Sequence, residues 1–226
     1  MADAVAALVI SEAVRMLWRV KAKLILAVVL LGVFALSRWP GLMPNNFSAA
    51  YAIAFCAGVY LPKKLAWWLP LSALLATDVC INVFFYHVHA LDSSMVANYL
   101  AFALIVWLGT KFSEKKSRTT RDVSASWARL LSGGVLGAIL FYFVTNTAAW
   151  LQLSAYPKNL AGWFQALTVG LPGFPHTWEF FRNTLLSGGL FTGLFVGAMK
   201  LEEKLEPEEK TEESPAPDAE EQPESV

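Results

Sequence analysis

Leu65–Tyr86 reads LAWWLPLSALLATDVCINVFFY, and this stretch decides the fold. It has 22 mostly apolar residues, so at about 1.5 Å per residue a helix would be roughly 33 Å long, enough to cross a bilayer core of about 30 Å. Its one carboxylate, Asp78, costs about 2.5–3.5 kcal/mol inside a membrane and therefore normally faces a polar interior. Asn82 follows one turn later on the same face. The stretch predicts a transmembrane helix with a polar site in its far half; the alternative is that Asp78 only caps or cross-links neighbouring helices.

The composition places the chain among polytopic membrane proteins rather than soluble domains. Of 226 residues, 56% are hydrophobic and 16% are charged, and the mean hydropathy is +0.46. The net charge is zero, but eleven of the eighteen acidic residues fall in Glu202–Val226, so the apolar part is basic. Cys56 and Cys80 lie in apolar segments, which favours packing roles over a disulfide framework.

The hydropathy pattern divides the chain into three regions. Residues 1–21 are expected to form an amphipathic cytoplasmic segment, residues 22–201 an all-α transmembrane domain, and residues 202–226 an acidic, disordered tail. Six apolar runs are expected to be helices: Ala22–Leu36, Ala49–Leu61, Leu65–Tyr86, Val96–Phe112, Leu130–Leu151 and Asn183–Lys200. The second run is short for a span and could line a pore instead. Asn159–Val169 predicts a short interfacial helix.

The basic residues orient the six predicted spans. One side of the membrane would hold 15 of the 18 Lys and Arg residues, and the other only Arg38, Lys158 and Arg182. Because cytoplasmic loops are enriched in Lys and Arg, the pattern predicts six helices with both termini in the cytoplasm.

This topology brings polar and aromatic residues to one level near the outer side. Asp78 and Asn82 lie in the outer half of the third span, and Asn146 in that of the fifth. A pocket open to the outside and closed below fits this distribution. Its predicted lining is Asn46, Tyr51, Asp78, Asn82, Asn146, Trp150, Arg182 and Asn183.

Simpler roles are open for several of these residues. Trp150 could belong to the aromatic belt at a membrane interface, and asparagines can simply join helices. Arg182 could pair with Glu179 and act only as a cap. His87 and His89 lack a third ligand, so no metal site is expected.

Recognisable catalytic patterns are missing from the sequence. There is no HExxH, GxSxG or Walker P-loop motif, so we expect neither an enzyme nor a protein that hydrolyses ATP itself. The basic loop Lys111–Arg129 has few aromatic residues and suits anionic lipid rather than nucleic acid. No cofactor is expected.

Several polar motifs within the apolar runs resemble those of a known family. The stretches are NNFSAAYAIAFCAGVYL, PLSALLATD, FYFVTNTAAWL, AYPKNLAGW and FFRNTLLSGGLFTGLFVG. They resemble a bacterial domain-of-unknown-function family of candidate transport proteins, itself similar to the substrate-capture (S) components of energy-coupling-factor transporters. The resemblance covers roughly residues 38–199, and its matching motifs are Asn46-Phe47-Ser48, Asp78, Thr145-Asn146, Tyr156-Pro157 and Arg182-Asn183-Thr184. The chain departs from it in having Ser187-Gly188-Gly189 where the family tends to have an aspartate, and in an extra loop at Gly173–Glu179.

The resemblance implies a function and adds Tyr156 to the expected binding residues. S components are six-helix proteins with cytoplasmic termini that bind vitamins or metal ions from outside. The chain would then be a substrate-binding subunit in the bacterial cytoplasmic (inner) membrane, with the lipid bilayer, a small solute and a separate ATPase module as partners. The alternatives are a scaffold or assembly protein acting through the acidic tail, and an intramembrane enzyme using Asp78 or the two histidines.

Overall fold

The computed structural model describes residues 28–92, 95–113 and 120–205, without side chains for 120–126 and 201–205. The predicted amphipathic segment 1–21, the start of the first predicted span and the tail beyond residue 205 lie outside these residues. The helices are α1 (Val28–Arg38, from the first described residue), α2 (Ala50–Tyr60), α3 (Lys63–Cys80), α4 (Met95–Phe112), α5 (Thr120–Gln152), α6 (Leu160–Leu167) and α7 (Thr177–Leu205). A π-helical turn, Ile81–Phe85, continues α3, and no strand occurs in the described part of the chain.

Three helices are long and apolar enough to cross a membrane by length and composition. They are Lys63–Phe85, Met95–Phe112 and Trp127–Gln152, which correspond to the third, fourth and fifth predicted spans. Helix α6 lies within the predicted interfacial segment. Helices α5 and α7 begin earlier than predicted, at Thr120 and Thr177, because hydropathy marks only the apolar part of a helix and misses polar first turns.

Helix α2 occupies the centre of the bundle. It has eleven residues and is therefore about 17 Å long, roughly half the thickness of a bilayer core. Every residue from Ala50 to Val59 is buried, because the helix packs against α3, α4, α5 and α7. A helix that is hydrophobic all round belongs inside a structure. The short apolar run predicted as a span is therefore a core helix around which the longer helices gather.

Two glycines let α2 and α4 cross with their backbones in contact. A Cβ atom on Gly58 would lie 2.9 Å from the Gly109 Cα and would meet the Val106 carbonyl oxygen even more closely. A Cβ on Gly109 would in turn meet the Phe55 carbonyl. Gly58 and Gly109 are thus used for packing inside the molecule.

Serine hydroxyls join the end of α1 to the start of α2. The Ala49 backbone N–H donates to Ser37 Oγ at 3.0 Å, and the Ala50 N–H donates to Ser48 Oγ at 3.1 Å. The two hydroxyls are themselves 3.2 Å apart, and both serines are buried. Because the first N–H groups of a helix lack partners within it, these bonds satisfy the start of α2, and Ser37 directly precedes Arg38 on α1.

Candidate functional site

A buried ion pair joins α1 to α3. The Arg38 guanidinium donates through Nη2 to Asp78 Oδ1. Asp78 is only 8% exposed, and the Arg38 side chain is 17% exposed. The guanidinium also lies 5.9 Å from the ring centre of Phe34, one turn earlier on α1. The carboxylate that the sequence singled out therefore has its charge partner at the end of a different helix.

Three polar atoms around this pair have no hydrogen-bond partner among the residues that the structure describes. They are Arg38 Nε, Asp78 Oδ2 and the hydroxyl oxygen of Tyr99, and all three are buried. The Tyr99 hydroxyl on α4 is near enough to Asp78 to interact with it electrostatically, although the two do not form a hydrogen bond of ordinary geometry. An unsatisfied buried donor or acceptor costs about 1–3 kcal/mol. The set Arg38, Asp78 and Tyr99, here called the polar corner, thus keeps unused capacity for hydrogen bonding.

Tyr51 extends the polar corner towards α7. Its hydroxyl donates to the Asn46 carbonyl oxygen at 3.3 Å and lies near both Arg38 and the Thr184 hydroxyl. Its ring packs on Phe141 of α5, with the ring centres 4.5 Å apart. Tyr51 of α2 thus links the ion pair to α5 and α7.

Asn183 and Arg182 hold the loop between α1 and α2 against α7. The Asn183 side chain donates from Nδ2 to the Asn45 carbonyl oxygen at 2.9 Å. Arg182 is exposed, donates to Asn183 Oδ1 at 3.4 Å, and has its guanidinium 5.6 Å from the Trp178 ring centre. Of the predicted residues, Asp78 thus belongs to the polar corner and Tyr51 lies beside it, while Asn46, Asn183 and Arg182 belong to the adjoining contact between the α1–α2 loop and α7.

Asn82 lies in separate surroundings from Asp78. Its amide donates from Nδ2 to the Ala90 carbonyl oxygen at 3.2 Å and approaches Met95 Sδ at 3.8 Å. It lies in the π-helical turn, where the Tyr86 N–H bonds to the Ile81 carbonyl five residues back. Because i to i+5 bonding changes the winding, the spacing that places residues i and i+4 on one face does not hold here. Asn82 therefore bonds to the loop between α3 and α4 and to the start of α4, and no hydrogen bond in the described part of the chain joins it to Asp78.

Asn146 and Trp150 lie near the end of α5, and Tyr156 lies in the connection from α5 to α6. Asn146 donates to the Tyr142 carbonyl of its own helix at 2.8 Å, and Trp150 Nε1 donates to the Pro157 carbonyl at 2.9 Å. Tyr156 is buried in this connection, and burial raises the pKa of its hydroxyl, which stays protonated at neutral pH. Their described contacts are structural, and none reaches Asp78.

Two grooves flank α3. One, of about 530 Å³, lies between α3 and α4, and the other, of about 420 Å³, lies between α1 and α3. None of the nine predicted binding residues lines either groove, but Tyr99 lines the first. The polar corner therefore has a neighbouring groove that the sequence did not indicate.

The described residues offer no cluster suited to a metal ion. No group of three or more His, Cys, Asp or Glu side chains converges within 28–92, 95–113 and 120–205. His87 and His89 are both exposed, and His87 has a positive φ of 53° in the turn that follows the π-helix.

Sequence reasoning did not include Arg38 and Tyr99 in the site. A signal for Arg38 was available, because a carboxylate within a membrane segment normally pairs with a cation. Only three basic residues were assigned to the side that Asp78 approaches, and Arg38 ends the first span. Tyr99 carries no comparable signal, since a tyrosine near the end of an apolar helix is common in membrane proteins.

The comparison with protein families identifies the family of the chain. The model of the Family of unknown function (DUF6580) matches residues 18–209, which is most of the chain. The chain belongs to this family. No curated protein matches it. The matched region includes every helix described above, the polar corner and all nine predicted binding residues, so the family resemblance is one of the whole helical domain.

Proposed function

We propose that this chain is a membrane transport protein that binds a small organic solute from the outer side of the bacterial cytoplasmic membrane for uptake. In this proposal the six predicted segments form the membrane domain, with α2 as its short central helix and both termini in the cytoplasm. The three long apolar helices and the uneven distribution of Lys and Arg support this arrangement.

The observation that carries the proposal is the polar corner. Removing two charges from water costs more than their attraction usually returns, so a buried ion pair is a weak stabilising device. Here the pair also leaves a donor on Arg38 and an acceptor on Asp78 without partners in the described structure. A solute with polar groups would satisfy both atoms, and strongly desolvated ionisable residues in membrane segments commonly mark substrate sites.

The motifs of the chain resemble a family of candidate transport proteins that is itself similar to S components, and this resemblance supports the same function. Such a subunit captures its solute and relies on a separate ATPase module, which agrees with a sequence that has no Walker motif. The rim made by Asn46, Asn183 and Arg182 lies beside the polar corner, where a solute would arrive from outside.

Native mass spectrometry of the purified chain in mild detergent tests this function. We expect a bound solute that is lost in Asp78→Asn and retained in Glu179→Gln, which changes a carboxylate on α7 outside the polar corner. Retention of the solute in Asp78→Asn would overturn the proposed site. Deletion of residues 207–226 should leave the solute bound, and its loss would favour the scaffold alternative.

A further inference from the structure

Exposed cations gather at the end of the bundle where α4 ends and α5 begins. Arg129 of α5 donates from Nη2 to the Lys111 carbonyl oxygen of α4 at 3.3 Å. The Arg129 guanidinium lies 5.4 Å from the Phe112 ring centre, and Lys111 Nζ lies 5.4 Å from that of Trp107. Both cations are exposed. These contacts position the two charges but do not neutralise them, because a carbonyl oxygen and an aromatic ring carry no net charge.

Lys63 and Lys64 lie at the same end of the bundle. They begin α3 just after α2, and the last turn of α2 crosses α4 where Gly58 meets Gly109, close to Lys111 in the chain. Both lysines are exposed. The four cations are here called the basic end, namely Lys63, Lys64, Lys111 and Arg129.

The acidic side chains that the structure describes all lie towards the opposite end. Asp78 is near the far end of α3, Asp92 lies in the loop between α3 and α4, and Glu179 lies in the first turn of α7. The basic end therefore has no carboxylate partner among the described side chains. Like charges that are gathered in one place repel each other, so an anionic partner would relieve the repulsion.

Helix α7 ends beside the basic end and leads into an acidic segment. A Cβ atom on Gly197 would lie 3.3 Å from Trp127 Cη2, so the last turns of α7 pass the part of α5 that carries Arg129. Helix α7 ends at Leu205, and residues 206–226 include nine acidic residues and one lysine. A random coil of that length spans about 25 Å, more than twice the distance of about 10 Å between packed helices. The segment is therefore long enough to reach all four cations.

We infer that the acidic segment 206–226 binds to the basic end of its own chain and covers it. The two carry opposite charges. Attachment through α7 gives the segment an effective concentration in the millimolar range, so several weak ion pairs hold it in place.

The head groups of anionic lipids compete for the same cations. They must displace a segment that is attached to the molecule and cannot diffuse away. The bound segment thus limits the access of anionic lipid, and of any acidic partner protein, to the basic end. This inference goes beyond the proposed function and does not depend on it, because the structure places the end of α7 and the four cations together.

Zero-length cross-linking with a carbodiimide tests the contact, because this reagent joins an amine to a carboxylate only where the two touch. The full chain is placed in phosphatidylcholine nanodiscs with one chain per disc, and cross-linked peptides are identified by mass spectrometry. We expect the three lysines of the basic end to be joined to the acidic segment. Lys158, which is exposed at the opposite end of the bundle, is the matched control and should not be joined to it. Absence of cross-links from the basic end, or equal numbers at both ends, would overturn the inference.

Salt and lipid composition show what holds the segment in place. At 1 M salt the Debye length falls to about 3 Å, so we expect about tenfold fewer cross-links than at low salt. Cross-links that persist at 1 M salt would contradict a contact based on charge. In discs with equal shares of phosphatidylcholine and phosphatidylglycerol the cross-links should remain. Their loss there would show that lipid head groups occupy the basic end instead, and would also overturn the inference.

Matched variants separate charge from simple shielding. The measurement is the rate at which Lys111 is acetylated by an amine reagent, which a covering segment lowers. Deletion of residues 207–226 should raise this rate about threefold or more, because several weak ion pairs are lost together. Replacement of the nine acidic residues beyond Leu205 by glutamine should raise it equally, although the segment keeps its length. An unchanged rate in the glutamine variant would show that charge does not hold the segment, and would overturn the inference.

Substitutions at the two ends of the bundle complete the test. The double variant Lys63→Gln with Lys64→Gln should raise the acetylation rate of Lys111, because it removes two of the cations that hold the segment. Lys158→Gln removes a cation at the opposite end and should leave the rate unchanged. Equal effects of the two variants would contradict a specific contact. None of these measurements involves a solute, so their failure would not affect the proposed function.

Discussion

The crossing of α2 and α4 and the polar corner are built in opposite ways. At the crossing, Gly58 and Gly109 bring two backbones into direct contact, so there is no room for even one added methyl group. At the polar corner, Arg38, Asp78 and Tyr99 are buried but leave three polar atoms without hydrogen-bond partners among the described residues, and grooves lie on both sides of α3. The α2–α4 crossing is therefore closely packed, whereas the polar corner is not.

This contrast indicates that the α2–α4 crossing serves the stability of the fold, whereas the polar corner serves function. Natural sequences satisfy most local rules and tend to violate them where a ligand must bind. A partly satisfied buried polar network costs more than an apolar core of the same shape. The polar corner should therefore be replaceable by apolar side chains without loss of the fold, whereas the α2–α4 crossing should not tolerate a single methyl group.

The largest expected effect comes from breaking the ion pair on one side only. Asp78→Leu leaves the mostly buried Arg38 charge without its partner and should lower the free energy of unfolding by about 3 kcal/mol or more. The double variant Arg38→Met with Asp78→Leu removes both charges and should be as stable as the wild type, or more stable by up to about 4 kcal/mol. Unfolding by sodium dodecyl sulfate in mixed micelles, followed by circular dichroism, measures both.

The double variant also serves as the control for function. It should bind no solute although its fold is intact, because the hydrogen-bonding atoms are gone. A double variant that is as unstable as Asp78→Leu would show that the ion pair is a structural element, and would remove the contrast between the two regions.

The next largest effect is expected at the helix crossing. Gly58→Ala forces its Cβ against the backbone of α4 and should cost about 2 kcal/mol, because backbone atoms cannot move aside as a flexible side chain can. Gly189→Ala on α7 is the matched control, since its Cβ would meet Val135 Cγ2 at an ordinary 3.7 Å. That variant should be neutral or slightly stabilising, because alanine favours the helix. The same unfolding measurement applies, and equal effects of the two variants would contradict close packing at the crossing.

Much of the fold could be predicted from the sequence because it depends on one helix at a time. The length and hydropathy of Leu65–Tyr86 and Val96–Phe112 predicted two long helices that the structure contains. The short apolar run Ala49–Leu61 gave the bounds of α2 to within one residue. Its central position was not predicted, because hydropathy does not distinguish contact with lipid from contact with other helices.

The site was predicted less completely because it depends on which helices meet. The cost of burying a carboxylate drew attention to Asp78, but its partner Arg38 lies 40 residues away on another helix. The spacing rule that linked Asp78 to Asn82 does not apply beyond Ile81, where the winding becomes π-helical. Asn146 and Trp150 share a helix face, yet they contact their own helix and the following turn. Helical periodicity gives the direction of a side chain but not the neighbour that it finds.

The smallest loss of stability is expected for Ser37, which lies between the start of α2 and Arg38 of the polar corner. Its hydroxyl accepts from the Ala49 N–H at the start of α2, and it directly precedes Arg38. Ser37→Ala leaves that buried N–H without this acceptor and should cost about 1 kcal/mol, as the loss of a helix cap does. Ser132→Ala is its control, because the exposed Ser132 hydroxyl bonds only to the Arg129 carbonyl within its own helix, and the change should be nearly neutral. If Ser37 also positions Arg38, its variant should weaken solute binding a few-fold while Ser132→Ala does not. A stability loss with unchanged affinity would show that the start of α2 and the polar corner are independent.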